Sequence, residues 1–161
     1  LVIVPRHPER FDQIASLCVT QGHSVVRRSD FTSIAAENSI WLIDSLGELM
    51  ALYDLATVVT MGGSFSDIGG HNPLEPALFK KPIIVGPDMG NFTKVQQQLL
   101  QAKGVIQLEK TQALLLSNAV EEILEDEVLQ KKLGEQAYRT VLANQGASER
   151  SFNQLNKLIN N

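Results

Sequence analysis

Six short apolar runs, at residues 1–4, 24–26, 40–43, 57–61, 83–85 and 105–108, set the limits on what this chain can fold into. They are rich in Val and Ile and lack clean polar alternation, which suits strands covered on both faces, as in a parallel sheet. Helical stripes fall between them. Phe11, Ile14 and Cys18 form one, Leu49, Leu52, Tyr53 and Ala56 a second, and Phe92, Val95, Leu99 and Ala102 a third. Strands alternating with helices predict an α/β fold. It is a Rossmann-like, doubly wound parallel sheet of about six strands, with helices on both faces and right-handed crossovers.

After Leu108 the pattern becomes wholly helical. Thr111 is placed to cap a helix carrying Leu116, Val120, Ile123 and Leu124, and Asp126 to cap one carrying Leu129, Leu133 and Ala137. Ser148 opens a last helix with Phe152, Leu155 and Ile159, which completes a helical C-terminal tail. The acidic group from Glu121 to Glu127 reads as a solvated face. Cys18 lies on an apolar stripe, so a buried thiol is expected. At 161 residues the chain fits one domain, expected to span residues 1–161. Residues 1–4 form a core-strand run without an initiator methionine, which suggests a piece of a longer protein.

In open α/β sheets ligands sit beyond the carboxyl ends of the strands, and four such ends are unusually polar here. The fourth strand runs into Gly62-Gly63-Ser64-Phe65-Ser66-Asp67-Ile68-Gly69-Gly70-His71-Asn72-Pro73-Leu74-Glu75-Pro76-Ala77. Glycine permits close backbone approach and unusual dihedrals, and a helix start presents N–H groups and a positive dipole end to an anion. Asn72 is placed at the N-cap, Pro73 at N1 and Glu75 at N3, so the segment reads as a phosphate or nucleotide seat with a carboxylate one turn inside. The same residues also make an ordinary capped helix start. A helix needs a cap but has no need of the glycine-rich loop before it.

The other polar ends are Pro5-Arg6-His7-Pro8-Glu9-Arg10-Phe11 after the first strand, Asp44-Ser45-Leu46-Gly47-Glu48-Leu49 after the third, and Gly86-Pro87-Asp88-Met89-Gly90-Asn91-Phe92 after the fifth. Arg6 is a natural bidentate phosphate ligand, or else a surface partner of Glu9. His7 and His71 suit an anion contact or a loop hydrogen bond, and His23 a plain loop. Asp44 suits ligand binding or capping, while Ser45 and Glu48 have the spacing of a capping box. Two histidines without a third ligand do not make a zinc site, so neither a metal nor another cofactor is expected. GxSxG, Walker and GxGxxG motifs are absent, which argues against hydrolase, P-loop and dinucleotide chemistry. The net charge of −4 gives no footprint for nucleic acid. No apolar stretch approaches the roughly 18–20 residues of a membrane span.

These strings, in this order, resemble the C-terminal half of a GT-B glycosyltransferase and, more narrowly, the 3-deoxy-D-manno-octulosonic acid (Kdo) transferases. The string from Gly69 to Ala77 is the most specific of them. Ser45, Leu46 and Asp88 depart from the family pattern, where Thr, Met and His are more usual. The resemblance implies transfer of Kdo from CMP-Kdo to a lipid A precursor at the cytoplasmic face of the bacterial inner membrane. This half would grip the CMP portion of the donor. Acceptor binding, membrane association and the general base would belong to an N-terminal half, so the chain alone is expected to lack transferase activity. Its last helices are expected to fasten the two halves together. Carried over by position, Arg6 would meet the phosphate and Asn72 and Glu75 the nucleotide, with Glu75 at the ribose. Gly69, Gly70 and His71 would shape the phosphate-facing loop, and Asp44, Gly47 and Glu48 would lie near the base or sugar. His7, Gly63 and Ser64 complete the implied set. The rival readings are another GT-B enzyme or an epimerase using a different nucleotide, and a non-catalytic α/β interaction module.

Overall fold

The computed structural model describes residues 1–30 and 39–145, so the helix expected from Ser148 lies outside the described residues. The chain divides into two compact units, residues 1–51 and 52–161. The six expected strands all form, as two three-stranded parallel sheets, one in each unit.

In the N-terminal unit, β1 (Val2–Ile3) is followed by a 3-10 turn (Pro8–Arg10), α1 (Phe11–Thr20), β2 (Val25–Arg27), β3 (Ile40–Leu42) and α2 (Leu49–Leu55). The unit boundary falls inside α2. Strand β3 lies between β1 and β2, with Leu42 opposite both Ile3 and Arg27. Ala15 and Cys18 of α1 are buried, as are Ile40, Leu42 and Ile43, and the Cys18 thiol is free. Helix α1 stops at Gly22, whose φ of +86° is left-handed, while the His23 N–H closes on the Cys18 carbonyl at 3.0 Å. That is the glycine C-terminal turn, open to a residue without a Cβ.

The C-terminal unit holds β4 (Val59–Met61), a 3-10 turn (Gly62–Phe65), α3 (Leu74–Leu78), β5 (Ile83–Val85), a second 3-10 turn (Gly90–Phe92), α4 (Thr93–Gln101) and β6 (Ile106–Gln107). Two long helices follow, α5 (Ala113–Glu125) and α6 (Glu127–Asn144). Strand β5 is central and fully buried. Its alternating side chains feed two cores. Ile83 and Val85 join Met61, Ala77, Leu99 and Ala137, whereas Ile84 joins Ala119, Ile123 and Leu133. Both faces are therefore helix-covered, which is why the strand reads as an unbroken apolar run. Burying each of the Ile, Val, Leu and Met side chains among them contributes about 1.5–3 kcal/mol.

Two caps can be compared with their sequence expectation. Asp126 caps α6, its Oδ1 accepting from the Val128 and Leu129 N–H groups at 2.8 and 2.9 Å. Thr111 does not cap α5. Gln112 holds the N-cap position, and the Thr111 hydroxyl donates to the Phe65 carbonyl at 3.4 Å. Among the described residues no helix is long and apolar enough to cross a membrane.

Candidate functional site

In the C-terminal unit the ends of β4 and β5 are locked together through Ser64. Its side chain is fully buried, with Oγ donating to the Met61 carbonyl at 2.6 Å and accepting from the Gly86 N–H at 2.6 Å. The Ser64 carbonyl accepts from the Asp88 N–H at 3.0 Å. A Cβ at Gly86 would lie 2.4 Å from that carbonyl oxygen, so the approach of the two loops requires glycine. The Ser64 hydroxyl is thus committed inside the fold.

Beyond this lock stands the glycine loop. Gly69 and Gly70 both take left-handed φ values, +79° and +76°. The loop after β5 braces them. Asp88 Oδ2 accepts the Gly69 N–H at 2.7 Å, the Asn91 N–H donates to the Gly69 carbonyl at 3.0 Å, and Asn91 Nδ2 donates to the Ile68 carbonyl at 2.8 Å. A Cβ on Gly69 would strike the Asn91 amide, and one on Gly70 the Met89 sulfur. His71 is half-buried and packs its ring over Gly63, where a Cβ would come within 2.8 Å of the imidazole.

The helix after the loop differs from its expectation. It has five residues and begins at Leu74, with Pro73 rather than Asn72 in the N-cap position. Asn72 still serves the turn: its Oδ1 accepts the Leu74 N–H at 3.1 Å and its Nδ2 donates to Glu75 Oε1 at 3.2 Å. Pro73 and Pro76 carry no N–H, and the Ala77 N–H is taken by the Pro73 carbonyl at 3.3 Å. A one-turn helix with Pro73 at its N-cap, Pro76 inside it and its first donor already used is a weak anion seat. The backbone of the loop is the stronger candidate. The half-buried Glu75 carboxylate is held from one side by Asn72. Tyr53 is buried, and burial pushes its phenol up to about 12, with the negative charge of Glu75 adding to the shift.

The N-terminal unit keeps its own polar residues at strand ends. Arg6 is exposed and, among the described residues, makes no hydrogen bond or ion pair. Glu9 instead lies 3.6 Å from His7, an exposed pair of small energetic weight. Asp44 is turned inward, with 6% of its side chain exposed. Its Oδ1 accepts the Ser29 N–H at 2.9 Å, its Oδ2 accepts the Ser29 hydroxyl at 2.7 Å, and Arg27 lies 3.8 Å away. Burial pushes the Asp44 carboxyl up, but the Ser29 hydroxyl and amide together with Arg27 outweigh it and hold the group below its ordinary value. Glu48 accepts from the Ser45 hydroxyl and, at 2.9 Å, from Arg28 Nε, and both contacts hold its carboxyl low. Ser45 and Glu48 therefore pair, though without a capping box. Gly47 at φ +88° turns the chain between them, so α2 begins only at Leu49.

The structure thus brings Gly63, Ser64, Gly69, Gly70, His71, Asn72 and Glu75 into one continuous loop and helix start, and Asp44, Gly47 and Glu48 into one turn. The sequence reading passed over Arg27, Arg28 and Ser29, which hold the third-strand carboxylates, and left Asp88 and Asn91 without a role in bracing the glycines. The pair Arg27-Arg28 directly after a Val-Val strand was a visible signal, because charges at a strand end commonly answer carboxylates on the neighbouring strand. A groove of about 460 Å³ in this unit is lined by Ala15, Ser16, Val19, Thr20, Val25, Arg27 and Asp30, none of them an expected site residue.

Parallel strands with helices on both faces and a braced glycine loop at the strand ends define a Rossmann-like domain of the GT-B glycosyltransferase kind. No protein-family model matches the chain. It is 33% identical, with a TM-score of 0.81, to the crystal structure of the C-terminal CMP-Kdo binding domain of WaaA from Acinetobacter baumannii, covering 87% of this chain and 72% of that one. It is 38% identical over 150 residues to the 3-deoxy-D-manno-octulosonic acid transferase of Haemophilus influenzae, covering 93% of this chain and 35% of the relative. The Bordetella pertussis enzyme of the same name is 29% identical over 156 residues. The chain belongs to the Kdo transferase family, and it spans about a third of the length of the curated relatives it matches.

Proposed function

We propose that this chain is the donor-binding half of a Kdo transferase and that it holds the CMP portion of CMP-Kdo, the ligand named for the Acinetobacter domain. The observation that carries this reading is the pairing of a rigid glycine turn with a half-buried carboxylate five residues on. Gly69-Gly70 is fixed by Asp88 and Asn91, and Glu75 is aligned by Asn72. A carboxylate accepts hydrogen bonds from both hydroxyls of a ribose, so Glu75 suits the sugar of the nucleotide. The side-chain-free backbone at Gly69 and Gly70, with His71, suits the phosphate. Arg6 is proposed as a further phosphate ligand on the family resemblance alone.

In the whole protein, Kdo passes from CMP-Kdo to a lipid A precursor at the cytoplasmic face of the bacterial inner membrane. The bond between Kdo and the CMP phosphate breaks, and an acceptor hydroxyl, deprotonated by a base outside this chain, takes the sugar. Departing CMP gains negative charge on its phosphate. Donor groups directed at that charge would lower the barrier. The acceptor, the base and the membrane contact belong to the N-terminal half, so this chain alone binds donor without turnover.

A heteronuclear NMR titration with CMP, UMP and AMP tests the reading. The expected result is shifts at Arg6 and at residues 69–75 that are strongest for CMP. Equal response to all three nucleotides would reduce it to a generic GT-B domain, and silence at millimolar CMP in the whole protein would overturn it.

A further inference from the structure

Asp88 is an unexpected neighbour for a phosphate-facing loop, because a carboxylate there opposes the charge of the ligand. Each of its two oxygens nonetheless accepts one backbone N–H. Oδ2 accepts the Gly69 N–H at 2.7 Å and Oδ1 accepts the Gly90 N–H at 3.0 Å, while its own N–H is held by the Ser64 carbonyl at 3.0 Å. Asp88 is therefore fixed at its backbone to the exit of β4 and at its side chain to the glycine turn. Asn91 adds two more bonds to the same turn, through the Gly69 and Ile68 carbonyls.

Two successive left-handed glycines are costly to order, because glycine surrenders more backbone freedom than any other residue. Left unbraced, this turn would pay that cost when the ligand binds. We propose that Asp88 is a positioning residue for the donor phosphate. Its carboxylate clamps the Gly69 N–H and so pre-forms the Gly69-Gly70 turn on which the phosphate rests. The inference rests on the donor-binding reading given above. Asp88 does not touch the ligand. It acts through Gly69, and the rigidity it confers outweighs the repulsion of its charge.

The two effects have opposite signs, which makes them separable. Were charge repulsion dominant, Asp88→Asn and Asp88→Ala would both tighten CMP binding. Positioning demands that both weaken it. In Asp88→Asn the amide cannot accept both the Gly69 and Gly90 N–H groups in the same geometry, and in Asp88→Ala both are released.

The experiment measures affinity for CMP and for cytidine in the whole protein carrying each variant, together with amide exchange at Gly69 and Gly70 without ligand. We expect Asp88→Ala to weaken CMP about tenfold, the factor that about 1.4 kcal/mol of lost preorganisation produces. Cytidine should change less than about twofold, because it lacks the phosphate. Exchange at Gly69 should accelerate about tenfold or more while core amides of β5 stay protected. Unchanged or tighter CMP binding, or equal loss for CMP and cytidine, would overturn the proposal. Should the wild type fail to bind CMP, the donor-binding reading falls, and exchange alone decides whether Asp88 holds the turn: unchanged exchange refutes it. If Asp88→Ala does not fold, Asp88→Asn carries the same comparisons.

Discussion

Replacing Ser64 by Ala removes one oxygen atom and leaves the Cβ, so the loss is almost purely of hydrogen bonding. The side chain is fully buried, and its hydroxyl satisfies the Gly86 N–H and the Met61 carbonyl, each at 2.6 Å. Gly86 is itself buried. An orphaned buried donor costs about 1–3 kcal/mol, and an under-satisfied carbonyl, which has a second lone pair, costs less. The expected destabilisation is therefore about 2–4 kcal/mol. Ser66→Ala supplies the contrast. Ser66 is exposed and its hydroxyl reaches the Gly63 carbonyl at only 3.4 Å, so the expected change stays within about 0.5 kcal/mol. Urea unfolding of both variants, compared at equal slope, measures the difference. If Ser64→Ala unfolds within about 0.5 kcal/mol of wild type, the lock between the ends of β4 and β5 is not an energetic feature of the fold.

Gly134→Ala should destabilise by about 3 kcal/mol or more, although alanine is the better helix former, because the new Cβ would lie 1.9 Å from the Lys80 carbonyl oxygen and force α6 away from α3. Gly62→Ala, with open space around its Cβ, should be neutral or slightly stabilising in the same unfolding assay. Tyr53 should ionise at about 12 in an ultraviolet titration, and Tyr53→Phe should delete that step. The folded value lies above the ordinary 10.0, so the stability linked to Tyr53 is complete below pH 10 and is lost as pH rises through about 12. A Tyr53 step near pH 10 would contradict its burial.

The strands were legible because each is a short run of branched apolar residues, and a strand buried on both faces leaves that mark whatever its neighbours are. Asp126 was legible as a cap for an equally local reason, since its partners lie two and three residues away. Local reasoning failed where a distant acceptor competed. Thr111 has the spacing of a cap, yet the Phe65 carbonyl, far away in sequence, claims its hydroxyl. Asn72 and Glu75 were placed correctly against each other but one position too deep in the helix, because Pro73 takes the N-cap position and Asn72 reaches the Leu74 N–H from just outside it. The site followed the same division. The glycine string announced a backbone-lined loop. Its braces, Asp88 and Asn91, come from the neighbouring strand's loop, and only the parallel register of β4 with β5 brings them there.

The carboxylates around the strand ends make physical sense when each is counted with its donors. In the N-terminal unit Asp44 is held by Ser29 and Arg27, and Glu48 by Ser45 and Arg28. In the C-terminal unit Asp88 is held by two backbone N–H groups. A carboxylate so engaged is held in place, and its charge is partly offset by the donors it accepts. Glu75 differs, because the Asn72 amide reaches only one of its oxygens at hydrogen-bond distance. On the donor-binding reading proposed above, it is the carboxylate that accepts the ribose hydroxyls.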